Sequence, residues 1–219
     1  MASAIILLSS GLDSTVNLYR ARRDHDIKLA LTFNYGQKAW AREMAHSQKM
    51  SEELNIPHQT IELPWLKEIT KTSLVNRDVE VPTGDSVSID DLETSEDTAA
   101  KVWVPNRNGV FMNIAASFAE SLSADYVITG FNKEEATTFP DNTPEFLEKL
   151  DESFKYSTAS EVKTLCYTTD LNKTEIVRLG KEVGVNFDLI WSCYFTAAKP
   201  CGECESCQRF DRAMNEAGL

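Results

Sequence analysis

A doubly wound α/β fold with a parallel sheet, carrying a cysteine-rich C-terminal module, is what these 219 residues predict. Three observations support it. Short apolar runs alternate with helix-forming stretches, a turn of small residues follows the first run, and four of five cysteines crowd into one C-terminal stretch. Repeated strand–helix alternation implies parallel strands with helices on both faces. We expect one domain over residues 1–190, with residues 191–219 packed on it. The length suffices for a substantial core.

The elements follow in order. Residues 4–8 are a continuous apolar run, as a strand buried on both faces requires. Residues 15–23 suit a helix, residues 28–33 a second strand, and residues 39–54 a helix of good helix formers. A third strand spans 58–63, closed by Pro64. Residues 110–122 form a strongly apolar helix, and 125–129 (DYVIT) a strand that stops at Gly130. Further helices are expected at 145–156 and 172–183. Asn172 caps the second of these, with Glu175 three residues on completing a capping box. Residues 83–99 break the pattern with six acidic residues and no basic one. They read as a solvated loop or as a lid over the site.

The net charge of −12 disfavours a large nucleic-acid footprint. No apolar run approaches the roughly 18–20 residues of a membrane-spanning helix. The opening MASAIILLSSG lacks the basic region of a signal peptide, and its apolar stretch is too short for one. The expectation is a cytoplasmic protein acting on a small molecule, with neither membrane nor nucleic acid as partner.

The C-terminal stretch WSCYFTAAKPCGECESCQRF holds Cys193, Cys201, Cys204 and Cys207. The last three form two overlapping C-x-x-C turns, which deliver thiolates in pairs to a tetrahedral zinc ion about 2.3 Å away. Pro200 and Gly202 suit the tight loops such a knuckle needs. Four cysteines leave no coordination position for water, so the metal would be structural. Unrelated thiols or disulfides are the alternative. Thiols arranged for metal also fit a reducing compartment. Cys166 stands apart and reads as a small buried hydrophobe. His25, His46 and His58 share no metal spacing. Trp40, Trp65, Trp103 and Trp191 read as core or interface residues, although one could face a base, and Trp191 should pack on the cysteines.

Between the first strand and its helix lies Ser9-Ser10-Gly11-Leu12-Asp13-Ser14-Thr15. Small residues there let backbone N–H groups converge on an anion, and a helix N-terminus adds roughly half a positive charge. The hydroxyls of Ser9, Ser10, Ser14 and Thr15 add further donors. No lysine follows in a Walker arrangement, and a single glycine excludes the dinucleotide fingerprint. The same residues also suit an ordinary turn with an Asp or Ser cap.

The loop resembles S-G-G-x-D-S, the pyrophosphate-binding loop of N-type ATP pyrophosphatases, with Ser10 in place of the first glycine. An added Cβ there crowds the approach of backbone to phosphate. The resemblance implies the adenine-nucleotide alpha-hydrolase-like version of the fold, and ATP held by residues 8–18: Leu8, Ser9, Ser10, Gly11, Leu12, Asp13, Ser14, Thr15, Val16, Asn17 and Leu18. Together with LTFNYGQKAWAREMA, VPNRN, DLNKTEIVRLGKEVGVNFDLIWSCY and CGECESCQRFDRAMNEAG, it makes residues 3–219 similar to the 7-cyano-7-deazaguanine synthases.

That resemblance implies a ligase that joins 7-carboxy-7-deazaguanine to ammonia at the expense of ATP, by way of adenylated acid and amide. Zinc would be structural, magnesium would accompany ATP, and the chain would form a homodimer. Asp13 and Ser14 would serve in the loop, Asp13 orienting it or its magnesium. Arg107 and Lys173 would spread phosphate charge; a surface ion pair is the alternative for each. Where such synthases carry D-Y-S-G-Y-P-D-C-R-x-E-F, this chain has EATTFPDNTPEF over 135–146. Phe139 and Asp141 remain as candidates to bind the deazapurine. The changed residues leave room for other readings. One is transfer of the activated acid to a different amine, such as one on a protein partner. Another is a tRNA-thiolating relative relying on Cys166, which the charge opposes. The last is a non-catalytic nucleotide-binding module.

Overall fold

The computed structural model describes residues 1–87, 89 and 99–219. Five parallel strands form one sheet: β1 (Ser3–Leu7), β2 (Asp26–Asn34), β3 (His58–Glu62), β4 (Tyr126–Ile128) and β5 (Lys163–Leu165). Their order is β3-β2-β1-β4-β5. The chain therefore winds outward from β1 to β3, returns, and continues outward on the other side of β1. The carboxyl ends of β1 and β4 flank the topological switch point, where open α/β sheets bind ligands.

Alternation along β1 explains why its sequence is apolar throughout. Ile5 faces one core, whereas Ala4, Ile6 and the following Leu8 face the other. In β2 the register slips opposite Ala4 and Ile5, skipping Lys28. This bulge lets Ile27 and Ala30 share one face although their spacing is odd.

Helices α1 (Leu12–Ala21), α7 (Lys173–Val183) and α8 (Glu205–Ala217) cover one face through Val16, Leu18, Ile176, Val177 and Ala213. Helix α4 (Arg107–Ser121) covers the other with Met112, Ala115, Ala116 and Ala119. Further helices are α2 (Trp40–Glu53), α3 (Pro64–Ile69), α5 (Lys133–Ala136) and α6 (Pro144–Ser157). The doubly wound parallel sheet and the capping box of Asn172 and Glu175 agree with expectation.

Several elements differ from it. Helix α1 starts at Leu12 rather than at 15, because Gly11 in an extended conformation serves as its cap. Strand β5 has no signature in the sequence, because three residues are too few to show a period. Pro64 both closes β3 and opens α3, as its fixed φ allows.

The acidic stretch begins with a 3-10 turn, Gly84–Ser86. Thr83 bridges to Cys204, and Gly84 N donates to Glu203 O at 3.0 Å. The solvated-loop and lid readings otherwise fall on residue 88 and residues 90–98, outside the described residues. No helix among the described residues is long and apolar enough to cross a membrane.

Candidate active site

The turn after β1 is built around Ser14. Its hydroxyl donates to Gly11 O at 3.1 Å, accepts from Ser9 N at 3.2 Å and lies 3.1 Å from Ser9 Oγ. Gly130, after β4, presses against this turn; a Cβ there would sit 2.5 Å from Ser14 N, so only glycine fits. Leu8, Ser9, Gly11, Leu12, Asp13 and Ser14 line a cavity of about 250 Å³ at the switch point.

The rest of the stretch 8–18 faces inward. Val16 and Leu18 belong to the core, and Asn17 bonds to Asp13 O, Thr168 Oγ1 and Tyr167 N. Ser10 and Thr15 are buried, and neither hydroxyl has a partner among the described residues. Neither residue lines the cavity. Ser10 holds φ at 60°, in the left-handed region. Its carbonyl accepts from Trp191 N at 2.9 Å. That bond ties the loop to the cysteine module.

Lys173, at the start of α7, reaches the loop. Its ammonium lies 2.6 Å from Asp13 Oδ2 and 2.6 Å from Glu135 Oε1. The pairing is buried rather than on the surface, which corrects the alternative held open for Lys173. Burial pushes the Asp13 carboxyl up to about 6, against the pull of Lys173. Glu135 is also raised by burial, but the Lys173 ammonium brings it below the usual carboxylate range. Asp13 Oδ1 is buried with no partner among the described residues. It is a vacant acceptor at the loop.

Beside this cluster, Glu134 binds Lys173 N at 2.8 Å, Arg209 at 3.0 Å and Arg212 at 2.6 Å, so α5 is riveted to α8.

Arg107 enters the cavity from α4, whose left-handed cap Asn106 aims the first helical side chain. Its Nε donates to Asn108 Oδ1 at 3.2 Å, and its guanidinium lies over the Tyr35 ring at 6.0 Å. No carboxylate pairs with it at salt-bridge distance among the described residues. The surface ion pair held open for it is thus absent among the described residues, and its Nη1 donates to the Tyr35 hydroxyl at 3.5 Å. Phe139 and Asp141 line the same cavity. The Phe139 ring lies 6.1 Å from that of Trp103, with 7° between their planes. Asp141 is raised by burial, opposed by Arg107, and takes one hydrogen bond from Asn142.

The sulfurs of Cys193, Cys201, Cys204 and Cys207 lie within 4.8 Å of one another. A tetrahedron with metal–sulfur bonds of about 2.3 Å has edges of about 3.8 Å. Backbone N–H groups of Phe195, Cys201 and Cys204 point at these sulfurs from 3.3 to 3.4 Å, as thiolates require. The donor set fits a structural zinc ion. Trp191 packs on the cysteines as expected. Cys166 is half-buried and hydrogen-bonded to Phe131, outside that group. His46 and His58 bond within the fold, to Leu189 O and Thr32 Oγ1.

A family profile described as "Queuosine biosynthesis protein QueC" matches residues 3–218. The chain belongs to this family. A 7-cyano-7-deazaguanine synthase of Bdellovibrio bacteriovorus is 55% identical over 216 residues, covering 98% of this chain and 94% of that protein. One from Desulforamulus reducens is 52% identical, over 99% and 95%. Among solved structures, a 4-thiouridine synthetase–RNA complex with bound ATP superposes with a TM-score of 0.52 at 18% identity. It covers 99% of this chain and 50% of that one, and it supports the fold alone.

In this QueC family member the sequence left several site residues unremarked. Glu135 and Asn132 come from α5 and its cap, with Asn132 donating to Asp13 Oδ2 at 3.3 Å. The signal was present in FNKEEA, where Asn132 and Glu135 follow a strand at N-cap spacing. Trp103, read with the other tryptophans as core or interface although one could face a base, lines the cavity. Nothing local marks it, since its partner Phe139 lies 36 residues on.

Proposed function

We propose that this chain converts 7-carboxy-7-deazaguanine and ammonia to 7-cyano-7-deazaguanine, consuming ATP. The observation that carries this reading is that the phosphate-binding turn and the Trp103–Phe139 pair line one cavity. A triphosphate and a planar base can therefore meet there. Hydroxide and oxide are poor leaving groups, so a carboxylate needs activation before an amine can displace it. In this reading the Ser9–Ser14 turn takes the β,γ-phosphates on its N–H groups and the α1 N-terminus. Arg107, with no carboxylate partner, offers a bidentate fork to a phosphate or to the substrate carboxylate.

Asp141 accepts from the donor edge of the guanine-like ring, and the flat faces of Trp103 and Phe139 hold it. The substrate carboxylate attacks the α-phosphorus, pyrophosphate leaves, and ammonia displaces AMP to give the amide. The amide oxygen repeats the attack on a second ATP. Loss of AMP and of both amide N–H protons then leaves the nitrile. Lys173 stays charged between Asp13 and Glu135 and fixes the loop while pyrophosphate departs. Magnesium arriving with ATP would find the vacant Asp13 Oδ1, and zinc would hold the Cys193–Cys207 module that braces Ser10. The homodimer and the cytoplasmic setting implied by the sequence belong to the same reading, and sedimentation tests the former.

The experiment is direct. Purified protein is mixed with ATP, ammonium and 7-carboxy-7-deazaguanine, and products are followed by mass. The reading expects the amide, then the nitrile, with two AMP per nitrile. Absence of AMP and of amide at all times contradicts it. A stable adduct to another amine would instead favour the transfer reading.

A further inference from the structure

Glu43 lies in the first turn of α2, on the wall of the same cavity, and no step above uses it. Its Oε2 accepts from Gln37 Nε2 at 2.8 Å, and the same nitrogen donates to Phe33 O at 2.8 Å. The Gln37 side-chain oxygen takes Tyr35 N at 3.0 Å. Gln37 is thus fully engaged and holds the carboxylate in one orientation. The other oxygen, Oε1, accepts from no described residue. Tyr35, Ala39 and Trp191 line the cavity alongside it. The charged and titratable groups facing it are Arg107 from α4 and the Tyr35 hydroxyl; Lys38 turns its ammonium out to Val79 O at 2.6 Å.

A half-buried carboxylate with one pinned oxygen and one open oxygen calls for a small donor-rich cation. We propose that Glu43 is the ammonium-receiving residue of this cavity, binding the ion through Oε1 and taking one of its protons. This deepens the reading under Proposed function and rests on it. In the step, one N–H bond of ammonium breaks, its electron pair stays on nitrogen, and an O–H bond forms at Oε1. That pair then forms the C–N bond to the adenylated carboxyl carbon as the C–O bond to AMP breaks. The extra proton on the new amide nitrogen passes to water. Burial pushes the Glu43 carboxyl up to about 7, against Gln37 and Arg107, so it exchanges protons near neutrality.

The test pairs kinetics with a binding measurement. Glu43→Gln keeps an acceptor for Gln37 and removes only the charge. We expect its KM for ammonium to rise about ten- to a hundredfold, as loss of a charge-assisted hydrogen bond implies. KM for ATP should move less than about twofold, and Glu43→Asp should recover part of the ammonium affinity. Independently of turnover, carbon-13 NMR of labelled glutamate carboxyls should show Glu43 titrating at lower pH in ammonium chloride than in tetramethylammonium chloride. An unchanged ammonium KM in Glu43→Gln, or a titration indifferent to the cation, overturns the assignment. Failure of the wild type to make AMP counts against the adenylation reading instead, and the NMR arm still decides the ammonium site.

Discussion

Replacing Ser10 by glycine should stabilise the protein. Ser10 is fully buried with φ at 60°, and its hydroxyl has no partner among the described residues. A left-handed non-glycine residue costs about 1–2 kcal/mol, and a buried hydroxyl without a partner about 1 kcal/mol or more. Glycine's greater freedom in the unfolded chain returns about 0.5–1 kcal/mol. The net gain is about 1–2 kcal/mol, or roughly 3–6 °C in Tm for a chain of this length. The backbone carbonyl that binds Trp191 N stays in place, so the loop keeps its tether. Thermal unfolding by circular dichroism, with and without ATP, measures both effects. A fall in Tm of a few degrees would refute the reasoning, because it would mean the serine side chain holds the turn together.

Lys173→Met leaves Asp13 and Glu135 facing each other in a buried site, at a cost of about 3–5 kcal/mol near neutral pH. Burial already pushes Asp13 up to about 6, above its ordinary 3.8, so this group's contribution to wild-type stability falls as pH rises through that window. Without Lys173 this cost grows, and the gap between variant and wild type should narrow from pH 8 to pH 5 in urea unfolding. Trp103→Ala removes one of the two parallel rings; at about 1–3 kcal/mol per stacked base, KM for the deazapurine should rise roughly 5- to 150-fold with KM for ATP little changed. Metal analysis should find one zinc per chain, and a strong chelator should weaken ATP binding, because the Trp191–Ser10 bond joins the cysteine module to the loop. Unchanged nucleotide affinity in the chelated protein would show that the tether does not matter.

The features that the sequence displayed were those whose chemistry is local. Four cysteines within 15 positions need no tertiary knowledge to be grouped, and residues 9–15 carry their own turn chemistry. The capping box at Asn172 is equally local. Long-range partners were not visible. Lys173 meets Asp13 across 160 positions, so its buried ion pair could not be read from either segment alone. Glu134 joins Arg209 and Arg212 across 75 and 78 positions, and the Trp103–Phe139 pair depends on where two loops meet over the sheet. Within residues 8–18 the sequence does not separate the side chains that line the cavity, such as Ser9, Asp13 and Ser14, from those that pack in the core, such as Val16 and Leu18. A 3.6-residue period spreads successive side chains around the axis, so a continuous stretch cannot all face one ligand.

Oxygen tracing reaches the central claim most directly. With both carboxylate oxygens of 7-carboxy-7-deazaguanine labelled with oxygen-18, attack on the α-phosphorus must carry each label onto a departing AMP. Mass spectrometry of the AMP should then show one heavy oxygen per molecule, in both the amide-forming and nitrile-forming turnovers. Unlabelled AMP, or label recovered in phosphate, would contradict adenylation at this loop.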